Sequence, residues 1–156
     1  LSEFRAKNMV FVFQSDNLLP VLTTVENVEL PLLVSGSSAK EARKRSEAKL
    51  DDVGLLDWKQ HLPGELSGGQ RQRATLARAL VNDPAIVWAD EPTGNLDSVT
   101  AQKTVQLMKY MAKELGQTFI VVTHGRHQFG DVDRIITTKD GHAFEGELPE
   151  SMEVTI

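Results

Sequence analysis

Ala85-Ile86-Val87-Trp88-Ala89-Asp90-Glu91-Pro92 decides the fold. Five apolar residues in a row, stopped by two carboxylates and a proline, predict a strand covered on both faces, as in a parallel sheet. The carboxyl ends of such strands are where open α/β sheets gather ligands. Thr118 to Thr123 repeats the pattern and ends at His124, and Met9-Val10-Phe11-Val12-Phe13 reads as a further strand with Gln14 just past its end. If the strands ending at Asp90 and Thr123 are neighbours, as sequential elements often are, His124 lies beside Asp90 and Glu91.

Helical patterns fill the spaces between. Thr24 can cap a helix carrying Val25, Val28, Leu32 and Leu33 on one face, with Asn27 three positions on and Pro31 interrupting it. Residues 39–53, rich in Ala, Glu, Lys and Arg, form a surface helix with Leu50 and Val53 inward and Gly54 closing it. Residues 57–65 are a loop, and Ser67 to Val81 is a third helix stopped by Asn82-Asp83-Pro84. Residues 98–115 carry Val105, Met108, Ala112 and Leu115 on one side, and a short helix is expected at 126–130. Val132 to Thr138 and His142 to Glu147 are expected strands joined at Asp140-Gly141, a hairpin turn signal. The expected class is α/β: a helical insert over about 20–75 on a core made of 1–19 and 76–147, with no clear element over 148–156.

The 156 residues suit one ordinary domain, and the 40% hydrophobic content can build a core. The net charge of -5 argues against a nucleic-acid partner, since such domains usually carry a basic face. Without cysteine there is no disulfide framework and no thiolate metal site. No apolar run approaches the roughly 18–20 residues that span a bilayer, so a membrane role is expected to come through a partner. A chain opening almost directly on a core strand is expected to be part of a longer domain.

Three constellations can carry chemistry. Ser67-Gly68-Gly69-Gln70 opens a helix: Ser67 can accept from the Gln70 amide, and Gln70 can reach back. The two glycines expose N–H groups at the positive end of the helix dipole, which suits a phosphate. Standing alone, the same four residues read as a plain cap. Asp90 can hold Mg²⁺ through a water, because hard cations take oxygen ligands. Glu91 can orient and deprotonate an attacking water, although alone the pair also reads as a polar strand cap. The His124 imidazole can donate to a γ-phosphate oxygen. The amide oxygen of Gln14 can reach the metal or the lytic water, but it is otherwise an ordinary surface residue. Asp97 can cap the helix after it through the amides of Thr100 and Ala101. His61, His127 and His142 have no such context, and no zinc pattern exists.

Taken in order, Phe11-Val12-Phe13-Gln14 with Asn17-Leu18-Leu19-Pro20, Thr24-Val25-Glu26-Asn27-Val28, Leu66-Ser67-Gly68-Gly69-Gln70, Asp90-Glu91, Gly94-Asn95-Leu96-Asp97 and His124 resemble the ATP-binding subunit of ABC transporters. The stretch from Ala89 to Ser98 is most similar to lipoprotein-releasing and MacB-type export ATPases. The resemblance implies a partial P-loop NTPase core of ABC type, with 1–156 forming the C-terminal two-thirds of one ATPase domain. It implies a Q-loop at Gln14, a signature motif at 66–70, a Walker B end at Asp90 with Glu91 as catalytic glutamate, a D-loop ending at Asp97 and a switch histidine at His124. ATP and Mg²⁺ are the implied cofactors. The implied partners are a transmembrane permease and a second ATPase domain in a head-to-tail dimer, with Ser67, Gly68 and Gly69 contacting γ-phosphate across the interface. The implied location is the cytoplasmic side of the inner membrane, peripherally.

The departures bear on activity. No G-x-x-x-x-G-K-[ST] loop is present, so β- and γ-phosphates lack their usual cradle. Trp88 stands where an aliphatic is usual, and Gly125 follows the histidine where Asp is common. The expectation is an energy-coupling ATPase subunit seen as a piece that is inactive alone and prone to self-association through exposed core sheet. A non-catalytic interaction module docking on a permease or a complete ATPase is the alternative. A DNA-associated ATPase is a weaker one, opposed by the acidic balance.

Overall fold

The computed structural model describes residues 8–12, 17–125 and 128–146. Three short strands, β1 (Met9–Val12), β2 (Ile86–Asp90) and β3 (Thr118–Val122), form a parallel sheet in the order β1-β2-β3. The strands ending at Asp90 and Val122 are therefore neighbours, as the sequence predicts. The register sets Val10 opposite Val87 and Val87 opposite Phe119, then Val12 opposite Ala89 and Ala89 opposite Val121. Because side chains alternate along a strand, these residues share one face, where Val12, Val87 and Ala89 are buried. The opposite face carries Phe11, Trp88, Ile120 and Val122. There Phe11 and Val122 stay more than half exposed, and Phe11 stacks on Trp88 at 6.2 Å. The expectation of cover on both faces is met on one side only.

Three helices occupy the sequence between β1 and β2: α1 (Thr24–Val34), α2 (Ala39–Asp52) and α3 (Gly68–Leu80). They pack on one another through Val25, Val28 and Leu32, through Ala42 and Leu50, and through Ala74, Leu76, Ala77 and Leu80. Each fully buried leucine or valine contributes about 1.5–3 kcal/mol. Leu33, placed inward by the sequence pattern, is exposed, because the inward stripe turns through Leu32. The cap of α1 is Thr23, one residue before the one expected. Its hydroxyl accepts from the Glu26 amide, and the Glu26 carboxylate reaches back to the Thr23 amide at 2.7 Å. Thr24 instead sends its hydroxyl to the His61 carbonyl. Pro31 does not end the helix; it only deprives the Asn27 carbonyl of its usual donor. Two short 3₁₀ turns, Leu56–Trp58 and Pro63–Glu65, break up the expected 57–65 loop, the first starting one residue before it.

α3 is the bridge between the parts. It packs on α1 and α2 and also against β1 and α4 (Ser98–Glu114), the last of which it meets at its N-terminal Gly69. α4 turns Ala101, Thr104, Val105, Met108 and Met111 inward. Ala112 is only half-buried and Leu115 is exposed, so the expected apolar face is rotated toward Met111. β4 (Ile136–Lys139) and β5 (His142–Glu145) form a separate antiparallel pair. Both Asp140 and Gly141 have positive φ, as a two-residue I′ turn requires. The first of these strands begins at Ile136 rather than Val132. The short helix expected at 126–130 falls partly outside the described residues; of those described, Gln128 is 3₁₀-helical and Phe129 lies in a turn, and residues 148–156 lie wholly outside them.

Candidate functional site

The chain runs out of β2 through Asp90 and then turns sharply. Glu91 takes φ 45°, a left-handed conformation rare for a side chain other than glycine or asparagine. Its amide still donates to the Val122 carbonyl, so the backbone follows β3 to its last residue. The turn swings the Glu91 carboxylate across the end of β3. There Oε1 accepts from the His124 amide at 2.6 Å and Oε2 accepts from the Thr123 hydroxyl at 3.2 Å. The His124 imidazole is fully solvent-exposed, with Nε2 at 3.8 Å from Glu91 Oε1. Glu91 and His124 thus meet, held by one parallel pairing and one strained residue. The carboxylate keeps lone pairs for a third donor, such as a water, because two of its roughly four acceptor positions are used.

Asp90 is exposed at the same strand end. Among the described residues, no three carboxylate or imidazole side chains gather around one point. Gln14 lies outside the described residues, as does His127.

The signature segment forms a second group. Ser67 caps α3, its hydroxyl accepting from the Gln70 amide at 3.3 Å while Gln70 Oε1 accepts from the Ser67 amide at 2.8 Å. The capping box read from sequence is therefore present. It uses the Gln70 amide, while the Gly68 and Gly69 amides, in the first turn, have no carbonyl partner within the helix. Arg71 folds back to donate to the Leu66 carbonyl, and Arg73 donates to the Val53 carbonyl.

Asp97 caps α4 with Oδ1 accepting from the amides of Val99 and Thr100 at 3.1 and 3.0 Å. The sequence pairs it with Thr100 and Ala101; Thr100 is a donor as expected, Val99 is the other, and the Ala101 amide goes to the Asp97 carbonyl. The hydroxyl and amide of Thr100 hold the Asp97 carboxyl below the usual aspartate range. Asp97 and the signature turn are neighbours: Leu96 packs beside Gly68, and Thr100 lies so close to Gly69 that an added methyl there would overlap it. The site residues thus fall into two groups, Asp90–Glu91–His124 at the sheet end and Ser67–Gln70 with Asp97 at the two helix starts.

Sequence reasoning missed Thr123, Thr100 and the Thr93–Gln128 pair. Thr93, buried, donates its hydroxyl to Gln128 Oε1 at 2.8 Å and ties the loop after Glu91 to the one after His124. A β-branched hydroxyl at a strand end was a visible signal for Thr123. Nothing local distinguished Thr100 from a routine helix residue.

Comparison with known proteins places the chain in a family. The sequence profile of the ABC transporter family matches residues 2–94. The lipoprotein-releasing system ATP-binding protein LolD of Porphyromonas gingivalis is 46% identical over 143 residues, covering 92% of this chain and 65% of the relative. An uncharacterized ABC transporter ATP-binding protein of Thermotoga maritima is 47% identical over 141 residues, covering 90% of this chain and 60% of the relative. Among solved structures, the dimeric form of MJ0796, a bacterial ABC transporter cassette, superposes with a TM-score of 0.77 at 44% identity, covering 92% of this chain and 65% of that one. The chain spans less than two thirds of the length of these relatives. With the profile covering more than half of its residues and relatives this similar, the chain belongs to the ABC transporter family.

Proposed function

We propose that this chain is part of the ATP-hydrolysing, energy-coupling subunit of an ABC transporter of the lipoprotein-release or export type. The observation that carries the reading is the Glu91 carboxylate, anchored by Thr123 and His124 at the end of two parallel strands. Glu91 orients and deprotonates the lytic water. His124, with its imidazole in solvent, donates to the γ-phosphate, and Gln14 reaches the same water or the metal. Asp90 would hold Mg²⁺, which would supply charge neutralisation at the phosphate oxygens. Ser67, Gly68 and Gly69, with Gln70 shaping the turn, offer donors to the nucleotide of a second ATPase domain in a head-to-tail dimer, and Asp97 communicates across that interface. Residues 20–75 form the helical subdomain that meets a transmembrane permease. The 1–19 and 76–147 portions belong to the core. The location is peripheral, on the cytoplasmic side of the membrane; among the described residues no helix is long and apolar enough to cross one.

The absent G-x-x-x-x-G-K-[ST] loop sets the test. Calorimetry of this chain with MgATP is expected to give no saturable binding. A chimera that adds the P-loop-bearing N-terminal segment of a LolD relative is expected to bind MgATP and hydrolyse it. Glu91→Gln in that chimera should keep binding and lose turnover by several orders of magnitude. A folded chimera that binds MgATP and hydrolyses it equally well with Glu91→Gln would sink the assignment. The alternative is a non-catalytic module docking on a permease or a complete ATPase. Retained partner binding with a folded chimera that never turns over would select it.

A further inference from the structure

Thr100 touches both halves of the interface group. From the first turn of α4 its amide donates to Asp97 Oδ1 at 3.0 Å, and its hydroxyl helps hold the Asp97 carboxyl below the usual aspartate range. Its Cγ2 methyl lies over Gly69, so close that a Cβ on Gly69 would overlap it. A threonine χ1 in a helix has few allowed wells, because two heavy atoms branch at Cβ. The methyl and the hydroxyl therefore cannot be moved separately. Rotating Cγ2 away from Gly69 moves Oγ1 as well. The carbonyl of Thr100 is also engaged, accepting from the Thr104 hydroxyl at 3.0 Å, which holds the first turn in place.

We infer that Thr100 is a positioning residue that locks the Asp97 turn to the Ser67–Gly69 turn, so that the two segments shift as one unit. The inference deepens the proposed function, resting on the reading that both segments face a nucleotide, and it assigns Gly69 a second duty. Besides freeing an amide at the helix start, its missing side chain makes room for the Thr100 methyl. Leu96 against Gly68 adds a second contact of the same kind.

The test follows two signals in this chain: the Asp97 carboxyl titration and amide exchange at Gly68–Gln70, both by NMR. Gly69→Ala should force Thr100 off its rotamer. The Asp97 midpoint then rises toward the ordinary aspartate range, and exchange accelerates by on the order of tenfold. Thr100→Val keeps the methyl and removes the hydroxyl, so the Asp97 midpoint should rise with little change at Gly69. Thr100→Ser keeps the hydroxyl and should leave the Asp97 midpoint low. The double variant Gly69→Ala/Thr100→Ser has room for the new methyl and should restore the low midpoint. An unmoved Asp97 titration in Gly69→Ala, or a double variant no better than Gly69→Ala, overturns the inference. If Gly69→Ala does not fold, recovery of the fold in the double variant supports the lock, and its failure to recover counts against it. No nucleotide enters these measurements, so loss of the ATPase reading in the chimera would register separately.

Discussion

Thr23 and Glu26 show how much one residue position decides. Both Thr23 and Thr24 can cap, but only Thr23 has an acid three residues on, and that acid settles the helix start. The signal was in the sequence. It was obscured because two threonines stand together and each finds a use. The φ of Glu91 was not legible, since it arises from the backbone following β3 past the end of β2. At this scale the capping box makes a pH prediction. The Thr23 hydroxyl and amide lower the Glu26 pKa. A lowered folded-state pKa adds stability above the ordinary carboxylate range, and that stability is lost as pH falls through the lowered value. Thr23→Ala should cost about 1 kcal/mol near neutral pH. It should also flatten the acid limb of urea-unfolding midpoints measured against pH.

Among the elements, α1 is joined to the loop before it by one side chain. Asn27 is fully buried, and its Oδ1 accepts from the Leu19 amide at 2.7 Å. Its Nδ2 donates to the carbonyls of Leu19, Leu22 and Thr23. Arg78 of α3 adds a bond to the Asn17 carbonyl at 2.7 Å. The stretch leading into the helical cluster is thus fastened to two of its helices. Asn27→Leu leaves the Leu19 amide without its acceptor and should cost about 1–3 kcal/mol. Chemical denaturation would measure the cost, and hydrogen exchange should show lost protection confined at first to Leu19–Thr23. From sequence, Asn27 reads only as a weak box partner, because a buried amide bonding four backbone groups is a tertiary fact. Element existence was otherwise well marked. The strand at Ile86–Asp90 was marked by its apolar run, the hairpin by Asp140-Gly141, and α3 by its capping residues and the terminating Asn82-Asp83-Pro84. The inward face of α4 was misread by one turn, since Met111 and Leu115 fit the same periodicity and only the bend of the chain at Gly116 decides between them.

Over the whole molecule, the sheet is the element with an open face among the described residues. A continuous apolar strand predicts cover on two faces, yet Phe11 and Val122 remain exposed on one of them. Strand composition records the faces a sheet is built to bury; it does not record which neighbours are present. This face is expected to drive self-association. Sedimentation equilibrium should show concentration-dependent oligomers, and Phe11→Thr with Val122→Thr together should weaken them about tenfold or more, since each large apolar side chain removed from a contact is worth on the order of 1.5–3 kcal/mol. A monomer at all concentrations would remove the prediction.

The parallel pairing of Met9 with Ile86 has one more consequence. Two strands that bond side by side are separated in the chain by the whole of α1, α2 and α3. Closing so long a loop from an open coil carries an entropic penalty that grows with the logarithm of its length, and non-local pairings of this kind slow folding. The helical cluster has its own buried leucines, joined by short connections, so it can collapse first and bring β1 and β2 within reach. The molecule is therefore expected to assemble from its middle outward, with the sheet as the late event. Substitutions in the cluster core, such as Leu76→Ala, should slow refolding, while Val87→Ala in β2 should mainly speed unfolding. Stopped-flow kinetics in which the sheet substitution slows refolding more than the cluster substitution would reverse that order.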